Sequence, residues 1–126
     1  MKTTFLRIAA ILGFLTVVLG AFGAHALKTS LTAAQFHSFE TATRYQMYHV
    51  LLLLLLNASH LSEVKRWKTI NLLLISGIVL FSGSIYLIAL QWVAASYIWF
   101  VTPLGGLLLI LAWLLLAMGF VNKSQN

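Results

Sequence analysis

Four apolar blocks separated by short polar stretches run through this chain, from about Phe5 to Ala26, Tyr45 to Leu61, Thr69 to Trp92 and Tyr97 to Val121. Each is close to the roughly 20 helical residues needed to cross the hydrocarbon of a bilayer. Runs such as Leu51 to Leu56 are uninterrupted, without the apolar–polar alternation of a barrel strand. In hydrocarbon every backbone amide and carbonyl needs a partner inside its own helix or in a closed barrel. The pattern therefore predicts an all-α integral membrane four-helix bundle, one transmembrane domain over residues 1–126.

The breaks in the pattern carry information too. Thr32-Ala33-Ala34-Gln35 has the form of a capping box, in which a threonine hydroxyl and a glutamine amide satisfy free groups at a helix start. From there Ala33, Phe36, Phe39, Thr43 and Met47 recur at spacings of three and four. They predict an amphipathic segment that lies at the interface or runs straight into the second span. Pro103 either opens the buried part of the last helix or kinks it, leaving Trp92, Tyr97 and Trp99 as an aromatic belt. Small residues form stripes: Ala9, Gly13, Thr16, Gly20 and Ala24 in the first block, and Gly105, Ala112 and Gly119 in the fourth. The third block has a similar face in Ser76 with Gly83 and Gly77 with Ser84. Such stripes let helices approach closely in lipid, within one subunit or between copies in a homo-oligomer.

Composition strengthens the membrane reading. The chain is 61% hydrophobic and 8% charged, against about a quarter charged in a soluble domain. The charges that remain orient it, because Lys and Arg of short loops stay on the cytoplasmic side. Lys2, Arg7, Lys65, Arg66, Lys68 and Lys123 share one side of a four-span topology, and only Lys28 and Arg44 fall on the other. Both termini are thereby expected in the cytoplasm of a bacterial inner (plasma) membrane. The net charge of +6 is a topology signal and no nucleic-acid patch, with Lys65, Arg66 and Lys68 placed to touch anionic headgroups. A rival reading takes the first block and Ala24-His25-Ala26 as a cleavable signal peptide. The length of the block and its helically spaced small residues favour a retained helix. The chain has no cysteine, which excludes disulfide and thiolate chemistry.

Polar residues inside the spans are the candidates for chemistry, since each is costly in hydrocarbon unless paired. Glu40 and Arg44 stand four apart, in the favourable order for a helical ion pair. They offer either an interfacial salt bridge or a site for an anionic headgroup or metabolite, with His37 and Tyr48 near the same stripe. Gln46, His49, Asn57 and His60 form a second stripe at about 100° per residue. Val50 to Leu56 leave a dry gap of roughly 12 Å along it. His25 and His49 are placed to face one another at similar depth, a pair able to ligate haem iron or contribute to a metal site, or to hydrogen-bond between helices. His37 and His60 read as interfacial. No metalloprotease, nucleophile–base or phosphate-loop motif is present, and no cofactor is assigned.

Four motifs carry a resemblance. Gly20-Ala21-Phe22-Gly23-Ala24-His25-Ala26-Leu27, Tyr45-Gln46-Met47-Tyr48-His49, Phe81-Ser82-Gly83-Ser84-Ile85-Tyr86 and Thr102-Pro103-Leu104-Gly105-Gly106 resemble uncharacterised protein family 0382, also called domain of unknown function 423. Ala112 before Trp113 departs from the pattern, which has glycine there. The resemblance implies a small multi-pass bacterial inner-membrane protein and brings no established activity. On the four-span topology His25, Gln46, His49, Ser82, Ser84, Tyr86 and Thr102 all fall in the outer halves of their helices. They converge either on a pocket for a lipid headgroup, quinone or small polar solute, or on one another to fix helix register. With Glu40 and Arg44 they are the candidate ligand-binding residues. Three function classes follow: a non-enzymatic binder of membrane lipids or of a membrane-protein partner, which is favoured; a small transporter or channel using the second helix; and a haem- or quinone-linked redox protein using His25 and His49.

Overall fold

The computed structural model describes residues 1–123, with side chains through Phe120. The side chains of Val121 and Lys123, which close the fourth block and enter the charge argument, lie outside that description. The described residues contain helices and no strand. Helix α1 spans Lys2–Phe22 and continues as a π-helical turn over Gly23–Leu27; α2 spans Ala33–Ala58, α3 Trp67–Ala89, the short α4 Ala95–Ile98, and α5 Val101–Lys123. A 3₁₀ turn over His60–Glu63 links α2 to α3.

Three helices, Lys2–Leu27, Trp67–Ala89 and Val101–Phe120, are long and apolar enough to cross a membrane. Helix α2 has 26 residues but is more polar before its leucine run, with Gln35, His37, Glu40, Arg44, Gln46 and His49. It begins twelve residues before the apolar block because the capping box forms. Thr32 Oγ1 accepts from the Gln35 amide at 3.2 Å and Gln35 Oε1 accepts from the Thr32 amide at 2.9 Å. The amphipathic segment is thus the first part of α2 itself. The helix stops at Ala58, three residues before the expected end, where Ser59 turns extended and its hydroxyl accepts from the Leu61 amide at 3.2 Å. Pro103 sits in the first turn of α5, where its missing N–H has no intrahelical role. Trp92, Tyr97 and Trp99 are exposed around α4, as an aromatic belt requires.

The long helices pack in sequence, α1 on α2, α2 on α3 and α3 on α5, each antiparallel to the next. The start of α1, the end of α5 and the α2–α3 link therefore share one end, and the other two links share the far end. The main core joins Ala9, Leu53, Leu56, Ile70, Leu74 and Ala112, all fully buried. A second cluster, Leu27, Phe39 and Ala89, closes the far end. The α5 stripe and Gly77 of α3 are contacts within this chain, whereas an added Cβ on Gly83 would meet nothing within 4 Å. A Cβ on Gly105 would meet the Phe81 amide nitrogen of α3 at 2.3 Å, and one on Gly119 would meet Val64 at 2.2 Å. Ala112 between them is fully buried, so alanine is accommodated at that position. In α1 the stripe packs on α2 only in part: Ala9 and Thr16 are buried, while Ala24 is exposed.

Candidate functional site

The polar face of α2 is where the helices are tied together. The Tyr86 hydroxyl of α3 donates to Gln46 Oε1 at 2.8 Å, and Gln46 Nε2 donates to the Leu12 carbonyl of α1 at 3.1 Å. Near it, Ser82 Oγ donates to the Ala42 carbonyl at 2.9 Å, and the Ser84 and Thr102 hydroxyls share a bond of 2.5 Å between α3 and α5. Toward the termini, Asn57 Nδ2 donates to Asn71 Oδ1 at 2.6 Å, and Asn71 Nδ2 donates to the Trp67 carbonyl at 2.9 Å. Asn57 Oδ1 and Trp67 Nε1 are buried without a partner.

His49 makes the link from α2 to α5. Trp113 Nε1 lies 3.2 Å from His49 Nε2. Indole nitrogen only donates, so His49 Nε2 is the bare, accepting nitrogen. The proton is then on Nδ1, which donates to the Tyr45 carbonyl at 2.6 Å. These two bonds define a neutral imidazole in one tautomer. The rings reinforce them: Trp113 meets His49 edge-on at 6.3 Å between centroids, and Tyr45 stacks on it at 6.4 Å. Beside this pair a groove of ≈ 800 Å³ opens between α2, α3 and α5, walled by Tyr45, Tyr48, Leu51, Phe81, Leu109, Ile110 and Trp113 and floored in part by Gly106.

Of the residues singled out from sequence, the structure brings Gln46 to Tyr86 and Ser84 to Thr102, and seats Ser82 against the α2 backbone. Gln46, His49 and Asn57 are buried on one face of α2 as expected. His60 leaves that stripe because the helix has ended before it, and it is exposed. The facing pair of His25 and His49 does not form: His25 is exposed on the π turn, and both nitrogens of His49 are engaged. No group of three or more His, Asp or Glu side chains able to hold a metal occurs among the described residues. Glu40 and Arg44 line a separate cleft between α1 and α2, and among the described residues no ion pair joins them. Sequence reasoning missed Trp113 and Asn71. Asn71 had a usable signal, an isolated amide beside the apolar run Leu72 to Ile75 that demands a buried partner.

Apolar helices able to cross a bilayer, with their buried polar groups largely bonded to one another, define a multi-pass helical membrane protein. The comparisons with known proteins agree. The family model described as a protein of unknown function, DUF423, matches residues 19–106, and the chain belongs to that family. It is 38% identical over 125 residues to a UPF0382 membrane protein of Haemophilus influenzae, covering 98% of this chain and 99% of the relative. It is also 38% identical to the UPF0382 inner membrane protein YgdD of Escherichia coli K12 (94% of this chain, 89% of the relative). The UPF0382 membrane protein YwdK of Bacillus subtilis is 36% identical (94% and 96%). No solved structure matches. The chain is a protein of the bacterial inner (plasma) membrane.

Proposed function

We propose that this chain is a four-span bundle with cytoplasmic termini that binds a lipidic amphiphile, without catalysing a reaction, in the groove between α2 and α5. At 1.5 Å per residue the 26 residues of α2 reach about 39 Å, beyond the roughly 30 Å of hydrocarbon. Its buried polar groups face the other helices, which is what a spanning helix with polar residues requires. The excess of basic residues at the end bearing the termini supports the orientation. On that topology the groove opens to the outer half of the bilayer.

The observation that carries the reading is the groove itself. Its ≈ 800 Å³ lies within the range of about 300–1,000 Å³ typical of ligand sites. Aliphatic and aromatic walls suit a hydrocarbon chain. The Tyr45 and Tyr48 side chains on its wall are about half exposed, and their hydroxyls suit the polar end of a lipid or quinone. Transport along α2 is less well supported, because Gln46, His49 and Asn57 are bonded to other helices.

Native mass spectrometry from a mild detergent tests the proposal. A Cβ on Gly106 would meet Phe81 at 3.5 Å, ordinary contact, so Gly106→Leu fills the groove without forcing the backbone apart. The expected result is one stoichiometric lipid-mass adduct fewer on Gly106→Leu than on the wild type, at unchanged helical content. A wild type that flies bare, or a filled variant that carries as many adducts as the wild type, overturns the proposal.

A further inference from the structure

On the opposite side of α2 a second cleft, of ≈ 300 Å³, opens between α1 and the beginning of α2. Gly20 and Ala24 form its α1 wall, and Glu40, Thr43 and Arg44 form its α2 wall. A Cβ on Gly20 would meet nothing within 4 Å, so the wall is set back from α2 there, while at Gly23 it closes on Phe39, 2.7 Å from an added Cβ. The chain has two acidic residues in all, and one of them stands in this cleft beside a guanidinium. Glu40 precedes Arg44 by four residues, the spacing that favours pairing on a helix. Among the described residues the two do not pair. They present a carboxylate and a guanidinium, side by side, to the same space.

A cleft of that kind complements a zwitterion whose anionic and cationic groups are a few bonds apart. Its depth narrows the choice. It lies at the far end of the bundle, the end that carries the exposed Trp92, Tyr97 and Trp99, and such aromatics mark headgroup depth. Its volume is small for a whole lipid and suited to a headgroup. We infer that it seats the phosphoethanolamine headgroup of a zwitterionic glycerophospholipid. The Arg44 guanidinium donates to the phosphate oxygens, a pairing to which its fork geometry is suited. The ammonium donates to the Glu40 carboxylate. A choline headgroup has the same net charge and no N–H to donate, so it forfeits the Glu40 bonds. A glycerol headgroup has no cation and leaves Glu40 facing an anionic lipid. This inference stands apart from the α2–α5 groove.

The test titrates phosphatidylethanolamine, phosphatidylcholine and phosphatidylglycerol of identical acyl chains into the Gly106→Leu protein in detergent and counts bound lipid by native mass spectrometry. Filling the other groove in this background makes the outcome independent of the reading given above. Phosphatidylethanolamine is expected to bind about tenfold more tightly than the other two, the worth of one or two charge-assisted hydrogen bonds. Glu40→Gln should erase its advantage over phosphatidylcholine, and Arg44→Gln should weaken all three lipids. Both side chains are exposed, and thermal unfolding checks that the variants remain folded. Equal binding of the three lipids, or a preference untouched by Glu40→Gln, overturns the inference. Displacement by free phosphoethanolamine at similar concentration overturns the choice of a lipid and assigns the cleft to a soluble zwitterion.

Discussion

Gly105→Ala puts the α3–α5 contact to its most direct test. The added Cβ would stand 2.3 Å from the Phe81 amide nitrogen and 2.8 Å from the Leu80 carbonyl carbon and Phe81 Cα. All three are backbone atoms of α3, so no rotamer change relieves the clash, and α5 must withdraw by about 1 Å to restore ordinary contact. The withdrawal loosens Leu109 from Gly77, where a Cβ on Gly77 would already sit 2.6 Å from Leu109 Cδ2. Overpacking costs typically about 1–3 kcal/mol, and with backbone as the neighbour the upper figure applies. Alanine regains up to about 1 kcal/mol of helix propensity, for a net loss of about 2 kcal/mol. Gly83 on α3 supplies the control, since nothing lies within 4 Å of its added Cβ; Gly83→Ala keeps the propensity gain and none of the clash. Reversible unfolding in mixed micelles of a mild detergent and dodecyl sulfate, followed by circular dichroism, should separate the two variants by about 3 kcal/mol. Equal midpoints would refute the close approach of α5 to α3.

The buried amides make a second prediction: Asn57→Leu alone should destabilise by about 1–3 kcal/mol because it strands Asn71 Oδ1. Adding Asn71→Leu should recover part of that loss, and strictly additive effects in the same assay would show that the two amides are not coupled. The absence of cysteine makes the topology directly testable with single introduced thiols. Thr29→Cys and Ser96→Cys should react with a membrane-impermeant maleimide added to intact spheroplasts, and Ser62→Cys only after lysis. Labelling of Ser62→Cys from outside would reverse the orientation or reduce the number of spans.

What the sequence made legible follows from the range of each interaction. The capping box at Thr32 and Gln35, the stripe of Gly105, Ala112 and Gly119, and the buried face of Gln46, His49 and Asn57 are local spacings on single helices, and each appears in the structure. Partners on other helices were less legible. Gln46 was readable as a polar residue needing a bond, but its donor Tyr86 and acceptor Leu12 are 40 and 34 residues away. His25 and His49 were paired by depth alone. Depth says nothing about azimuth, and the structure has His25 exposed. Glu40 and Arg44 obeyed the spacing of a helical ion pair, whose worth at an exposed position is only a few tenths of a kcal/mol. Spacing permits such a pair without enforcing it.

The distribution of bonded and unbonded polar groups gives the two clefts their interest. Helix α2 bonds α1 through Gln46, α3 through Gln46, Ala42 and Asn57, and α5 through His49. A polar face that is a liability toward lipid becomes, at the centre of the bundle, the element that fixes how its neighbours sit. If these residues existed only for that purpose, one face of α2 would suffice and its other faces would be apolar. They are not. Tyr45 and Tyr48 border the groove toward α5, and Glu40 and Arg44 border the cleft toward α1. Among the described residues, neither tyrosine hydroxyl and neither charged side chain has a hydrogen-bond or ion-pair partner in the chain. Helix packing accounts for the bonded groups and not for these four, which is why the two proposed sites lie on the flanks of α2.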